Sequence, residues 1–584
     1  MSGADDASTQ NEASGSQIPQ SMTWNISNVT GGRMYNVRGD VYNSGQNHRL
    51  PYAKCASWDP KLVCQPGTRT TTLSKILGWA HSADSQTVML IKAVAGSGKS
   101  TISHSIAQLL QLEGLLASSF FFQRMVADAN TTRMLFTTIA RDMANHHPTI
   151  GAAISTALES DIALTRAPLS RQFDALFSKP LSRTSKKETG RIVVIIDGLD
   201  DIIDDETDTT LLEILSGTKA ATLPPNIRIL VTARPTRNVE LFLSGKSHIR
   251  QLEIDIHSTE NLMDIAAYVD LQLQGNVMPR LELGALDEEM VRKLKNLAEG
   301  LFVWIATVFA YLRTAYTPRA KLEALLRKSE GCADIDKKMD ALYTAILNNC
   351  GVWDDTHFCD DYKLVMGSIM AAKRPLSQAA IQALYRDCDL HDPPNHLLER
   401  FESVLTGLHD ETKPVRILHL SFYDFITARA AETTETRKFY LSQKEHSQRL
   451  GELCLRTIIR DFTASPLPGT GYLMEGQVPN LLPSGISTPK QVIATSTPGI
   501  PKLTDVPEHL VYACERWRDH VLDVEHPTHA ILEIIGDFLS RHNTNWIEVV
   551  SSESVFRGSL GIWLWVKVSG DDFTPFCPEL NTSC

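Results

Sequence analysis

An α/β core on a parallel sheet, followed by helical and winged-helix-like domains, is the fold class that three stretches of this sequence predict. In the first, an apolar run (Val88, Met89, Leu90, Ile91) leads through Ala93-Val94-Ala95-Gly96-Ser97-Gly98-Lys99-Ser100-Thr101 into a helical pattern (Ile102, Ile106, Leu109, Leu110). The second, Arg191 to Asp201, holds five consecutive β-branched residues before Asp197. Such a run suits a strand buried on both faces, as parallel sheets require. The third, Asn226 to Ala233, is another strand pattern and ends in Arg234-Pro235.

Strand, glycine-rich loop and helix together make an anion site. Gly96 and Gly98 let the backbone curl so that successive N–H groups converge, and a helix starting near Lys99 adds its positive dipole end. The pattern places Lys99 at terminal phosphates and the Ser100 hydroxyl on a magnesium ion. Ala93 stands where the first glycine is usual, and alanine fits there unless that position needs positive φ. The core is therefore expected to be a three-layer P-loop NTPase fold taking ATP or GTP. Asp197, at the carboxyl end of its strand, is placed to hold the magnesium, and Asp200 and Asp201 follow on the turn to polarise an attacking water. Arg234 is placed to touch a γ-phosphate, and serves equally well as a plain surface arginine.

The order of these motifs resembles the NACHT class of STAND signalling ATPases, and most of all the fungal NOD-like proteins with a nephrocystin-3-like nucleotide domain. Cys64 to Arg69, Ala117 to Arg124, Gly300 to Thr307, His419 to Ile426 and Tyr512 to His520 resemble further segments of that family. The resemblance implies that Thr68, Arg69 and the loop Ala95 to Thr101 bind nucleotide, with Ser100 and Asp197 on the metal. Asp201 falls where a catalytic Glu is usual; it is one methylene shorter, so slow hydrolysis is expected. Gly300-Leu301-Phe302 resembles a Gly-Leu-Pro segment that packs near the adenine, with Phe in place of Pro. His419 resembles a winged-helix histidine that touches the ADP phosphate, and read from its neighbours Leu418, Leu420 and Phe422 it is equally a core residue on an apolar strand.

The chain of 584 residues is too long for one core. Residues 1–50 are expected to be a disordered, glycine-rich segment; Asn28 to Gly32, echoed by Asn36 to Asp40, suits a short hairpin or an edge-pairing segment, with a flexible tail the preferred reading. A linker at 51–70 leads to the NTPase domain at 71–248, in which Met134, Leu135, Ile139, Ala140 and Met143 mark a helix face. Helical patterns at 249–330 suggest a small lid. Residues 331–435 read as a winged-helix-like domain: Tyr362 to Ala371 is a helix, Pro375-Leu376-Ser377 starts another, and Val404 to Leu408 pairs with Val415 to Leu420. The region 436–584 is helical, broken by a Pro/Gly/Ser/Thr-rich loop at 464–506. No WD or ankyrin period is present.

A formal charge of -11 argues against nucleic-acid binding. The polar N-terminus is not a secretory signal, and the apolar run Leu301 to Leu312 falls short of the roughly twenty residues of a membrane span. Ten cysteines without a C-x-x-C pair suggest reduced thiols and a cytoplasmic location. The preferred function is a nucleotide-gated switch: ADP keeps the chain compact, and exchange for ATP with Mg2+ releases the winged-helix domain for homo-oligomerisation or for an effector or sensor protein. A nucleotide-blind scaffold or decoy and a P-loop phosphotransferase are the competing readings.

Overall fold

The computed structural model describes residues 36–37, 40–41 and 50–553, without 54–55, 83–84, 124–125, 127–131, 184–189, 203–208, 275–286, 330–333, 389, 465–466, 468–502, 504 and 524–527. The expectations for residues 1–35, for most of the 464–506 loop and for the chain beyond 553 lie outside the described residues. Where a flexible tail is the preferred reading, β1 (Asn36–Val37) pairs antiparallel with β2 (Asp40–Val41); the first copy, Asn28 to Gly32, lies outside the described residues.

The apolar runs become a five-stranded sheet in the order β4-β5-β6-β3-β7. Its strands are β3 (Val88–Lys92), β4 (Leu116–Phe121), β5 (Ile192–Asp197), β6 (Ile227–Ala233) and β7 (Ile249–Glu253), every pair of neighbours parallel. Side chains alternate across the pleat. Val88, Leu90, Ile192, Val194 and Ile196 join one core with Phe136, Ile139 and Ile154, from helices α3 (Leu135–His146) and α4 (Pro148–Ser160). Met89, Ile91, Val193 and Ile195 join another with Ile76, Trp79, Ile102 and Ile106, from α1 (Thr70–His81) and α2 (Lys99–Leu112). Helices on both faces make the three layers.

One strand departs from the sequence reading. The sequence places residues 249–253 in the helical segment, because Arg250, Gln251 and Glu253, exposed on an edge strand, interrupt the apolar pattern. The NTPase sheet therefore continues past residue 248. A short helix, α5 (Arg237–Leu243), joins β6 to β7.

From Ile256 onward the molecule is helical: α6 (Thr259–Gln272), α7 (Glu288–Leu297), α8 (Phe302–Thr314), α9 (Pro318–Ser329), α10 (Ile335–Cys350), α11 (Thr356–Ala371), α12 (Gln378–Leu384), α13 (Pro394–Glu399), α14 (Leu420–Thr427), α15 (Gln443–Ala464), α16 (Glu508–Leu522) and α17 (His529–Glu553). A winged-helix-like unit sits among them, with β8 (Leu405–Thr406) antiparallel to β9 (Arg416–Ile417) and a bridge from Ser377 to Pro414. Two local expectations are corrected. Pro375 lies ahead of the helix it was assigned to start, because the Ser377 side chain caps α12 through the Ala380 N–H. The second wing strand ends at Ile417 because His419 caps α14 and Leu420 is already helical.

Lid, winged-helix-like and C-terminal helices share one continuous apolar core, from Ile256 to Val550. The described cysteines, Cys64, Cys350, Cys359, Cys388, Cys454 and Cys514, are not joined in disulfides. Among the described residues no helix is long and apolar enough to cross a membrane.

Candidate functional site

A cavity of about 700 Å³ opens where the carboxyl ends of β3, β5 and β6 meet the helical half. One wall carries Ala95, Gly96, Gly98, Lys99, Ser100 and Thr101; Thr68 and Arg69 lie beside it. Asp197, Asp200, Asp201 and Arg234 form the floor. Phe302, Val303, Tyr268 and His419 come from the other half. Gly300 and Ser97 are absent from the lining, although both were expected to contact a ligand.

The loop is built as its glycines require. Gly96 and Gly98 have φ of +75° and +90°. Ala93 is not left-handed; it directly follows β3, with its N–H on the Ala233 carbonyl at 3.2 Å, so the missing glycine costs nothing here. Ser97 is fully buried, with its hydroxyl on the Val94 carbonyl at 2.8 Å and its own carbonyl taken by Arg69, so it braces the loop from within. Lys99 Nζ donates to the carbonyls of Ala93 and Val94 at 2.9 and 3.1 Å. Burial pushes its pKa down, and the Asp200 carboxylate opposes that shift.

Asp197 is buried, and its Oδ1 accepts hydroxyl hydrogens from Ser103 at 2.6 Å and Thr232 at 2.7 Å. Thr232 in turn accepts the Gly198 N–H at 3.0 Å. Each such bond to a charged acceptor is worth roughly 1.5–3 kcal/mol. Both described bonds fall on Oδ1, so Oδ2 and the exposed Ser100 hydroxyl are the hard oxygen donors that suit magnesium. Neither Ser103 nor Thr232 was found from sequence. The signals were there: Ser103 is one helical turn after Lys99 and Ser100, and Thr232 follows Val231, the register partner of Ile196, on the neighbouring strand.

Asp200 is not poised over open water, as the sequence reading expected. Its Oδ2 lies 2.8 Å from Arg234 Nε, and its Oδ1 accepts the Arg234 N–H at 2.8 Å. Asp200 is the buried member, so removing Arg234, which would leave that carboxylate unpaired, would cost up to roughly 3 kcal/mol, and removing Asp200 less. Asp200 thus aims the Arg234 guanidinium, which is no plain surface arginine.

Arg69 has a left-handed backbone, φ +59°. That conformation costs a residue with a Cβ roughly 1–2 kcal/mol. The turn carries its buried guanidinium to the Ser97 carbonyl at 2.7 Å and over the Phe302 ring at 4.6 Å from the centroid. Val303 N–H donates to the Gly96 carbonyl at 3.1 Å, so the first turn of α8 closes directly on the loop. Gly300, φ +81°, makes that approach possible: a Cβ there would sit 1.9 Å from the Ile256 carbonyl oxygen. Asn261 Nδ2 ties the Ile256 and Gly300 carbonyls together at 2.6 and 2.9 Å. Gly300 acts by shaping the turn, and the residues after it form the wall. Thr68 donates its hydroxyl to the Gln65 carbonyl at 2.8 Å and stabilises the same segment.

Two histidines border the cavity. His104 stacks on Phe121 at 4.0 Å and accepts the Asp59 N–H on Nδ1 at 3.0 Å, and burial brings its pKa down to about 4. His419 is also brought down to about 4, by burial first and then by Arg234 and Lys99. It is a helix cap facing the cavity, not a residue on an apolar strand.

Fold and loop together define a nucleotide-binding P-loop type of core with a helical, winged-helix-like remainder. Residues 67–234 match the family model of the nephrocystin 3 N-terminal domain. That match ends before β7 and before the helical half. No curated protein is similar to the chain at a significant level. Among solved structures, one of Drosophila ORC bound to DNA matches 64% of this chain and 95% of that one, at 11% identity and a TM-score of 0.27. A second, of Drosophila ORC bound to poly(dA/dT) DNA and Cdc6, matches 68% of this chain and 62% of that one, at 12% identity and a TM-score of 0.23. At those scores neither likeness bears on fold or function.

Proposed function

We propose that this chain is a nucleotide-gated switch of the STAND ATPase kind, binding ADP or ATP. The observation that carries the reading is the cavity between two separate apolar cores: Lys99, Arg69, Asp197 and Arg234 belong to one side, and Phe302, Val303 and His419 to the other. A ligand that touches both sides shifts their relative arrangement by its differential contacts. Loop amides and Lys99 take the β-phosphate, Arg234 meets a γ-phosphate, and Phe302 walls the base. Ser100 and Asp197 Oδ2 would hold Mg2+, which when bound bridges phosphate oxygens and neutralises their charge.

Because helices α6 to α17 share one core, the moving body is the whole helical half, not the winged-helix-like unit alone. Asp201 remains the acid for ordering water, and its short reach supports slow hydrolysis. The signalling role, in fungal immunity or non-self recognition with oligomerisation or an effector protein downstream, follows from the resemblance to fungal NOD-like proteins. The test is calorimetric titration of the full chain with ADP, ATP and GTP, beside mass spectrometry of any nucleotide that copurifies. Lys99→Ala should abolish binding. An unchanged affinity in that variant would reject the site.

A further inference from the structure

His419 is held from behind by a run of hydroxyls. Its Nδ1 accepts the Ser421 N–H at 3.1 Å and lies 2.8 Å from Ser421 Oγ. A ring nitrogen that accepts a backbone N–H carries no proton of its own, so the Ser421 hydroxyl also donates to it. The Ser421 oxygen then takes the phenolic hydrogen of Tyr343, whose oxygen is 2.7 Å away. Tyr343 is buried, and its ring packs against Phe422 and Phe425 at 5.2 and 5.7 Å, which fixes the direction of its hydroxyl. Burial raises the Tyr343 pKa well beyond the ordinary range, so it stays a donor. Donation therefore runs one way, from Tyr343 to Ser421 to His419 Nδ1. The proton of the neutral ring is left on Nε2.

The same arrangement is anchored to α10. Arg429 donates to the Ser421 carbonyl at 3.3 Å and forks onto Asp340, with bonds of 2.7 and 3.0 Å. Asp340 and Tyr343 lie about one turn apart on α10. Lys338 of the same helix, itself buried, reaches Glu299 at 2.9 Å, next to the Gly300 turn. One helix braces both the histidine and the turn that brings Phe302 onto the phosphate loop.

We propose that Ser421 and Tyr343 are positioning residues that hold His419 as the Nε2–H tautomer, presenting an uncharged hydrogen-bond donor to a phosphate oxygen beside Lys99 and Arg234. This rests on the reading of the cavity as a nucleotide site. The contribution belongs to the phosphates, so a ligand ending in adenosine gains nothing from it.

The experiment measures ADP and adenosine binding to the full chain for Ser421→Ala, Ser421→Thr, Tyr343→Phe, His419→Ala and the Ser421→Ala/His419→Ala double variant. Loss of one such hydrogen bond is expected to weaken ADP binding about fivefold in Ser421→Ala, with adenosine affinity unchanged. Ser421→Thr, which keeps the hydroxyl, restores it, and Tyr343→Phe, which keeps the ring packing, lies between. With His419 absent, Ser421→Ala should have no further effect. An equal loss in that background, or an equal loss for adenosine, overturns the proposal by showing a role in folding only. In protein labelled with 15N-histidine the His419 proton should lie on Nε2; a proton on Nδ1 overturns it as well. Lys99→Ala separates the two levels. If that variant binds ADP normally, the nucleotide reading falls and this proposal with it; if it does not bind while Ser421→Ala binds as wild type, only the positioning role falls.

Discussion

Gly300 and Gly98 share a left-handed backbone and differ in surroundings. A Cβ on Gly300 would meet the Ile256 oxygen at 1.9 Å, whereas one on Gly98 would meet nothing within 4 Å. Gly300→Ala should therefore destabilise the fold by about 3 kcal/mol or more. Gly98→Ala should cost only about 1–2 kcal/mol of strain and act mainly on nucleotide affinity. Chemical denaturation of both, with ADP titration of the second, checks the contrast. The two histidines at the cavity edge give a pH prediction. His104 and His419 are held to about 4 against an ordinary value of 6.5, so between those limits the unfolded chain binds more protons than the native one. Stability is thus full above pH 6.5 and falls as pH falls, by at most about 2 kcal/mol for each group at pH 5. A Tm series from pH 8 to 5 should decline, and the decline should shrink in a His104→Gln/His419→Gln variant.

Elements differed in how plainly the sequence announced them. β5 was legible because Ile192 to Ile196 are buried on both faces, and α2 because a loop of fixed spacing precedes it. β7 was hidden, since an edge strand pairs through its backbone and leaves Arg250 and Gln251 in water. The loop and Asp197 could be named from residue type and spacing, and His419 only through the resemblance to the nucleotide-switch family. The bonds that aim them could not, because Ser103–Asp197, Asp200–Arg234 and Tyr343–Ser421 join residues far apart in the chain or of unremarkable type. Arg228 was missed for the same reason. It sits fully buried in β6 and donates to the carbonyls of Trp79 at 3.4 Å and Ser82 at 2.7 Å, closing the C-terminal end of α1. Arg228→Ala should remove these bonds and empty a fully buried site, lowering stability by about 2–4 kcal/mol, read by thermal unfolding, without changing ADP affinity in the molecules that remain folded.

At the scale of the whole molecule, the sheet with its helices and the helical half have distinct cores that meet around one cavity. A ligand there stabilises the assembled form by mass action. ADP at a hundred times its Kd should raise stability by about 2.7 kcal/mol, seen as a higher Tm, and should do nothing for Lys99→Ala. The last residue of the sheet-side cores is Ile254, and the first of the helical core is Ile256. Among the described residues from 50 to 553, the polypeptide passes from one core to the other at that single place. Cleaving the backbone near Asp255 would leave two fragments, each keeping its own apolar interior, joined only by contacts such as Val303 on Gly96 and Arg69 on Phe302. A nucleotide bound between them, as proposed above, would then act as the rivet, and the fragments would copurify or drift apart according to which nucleotide was supplied.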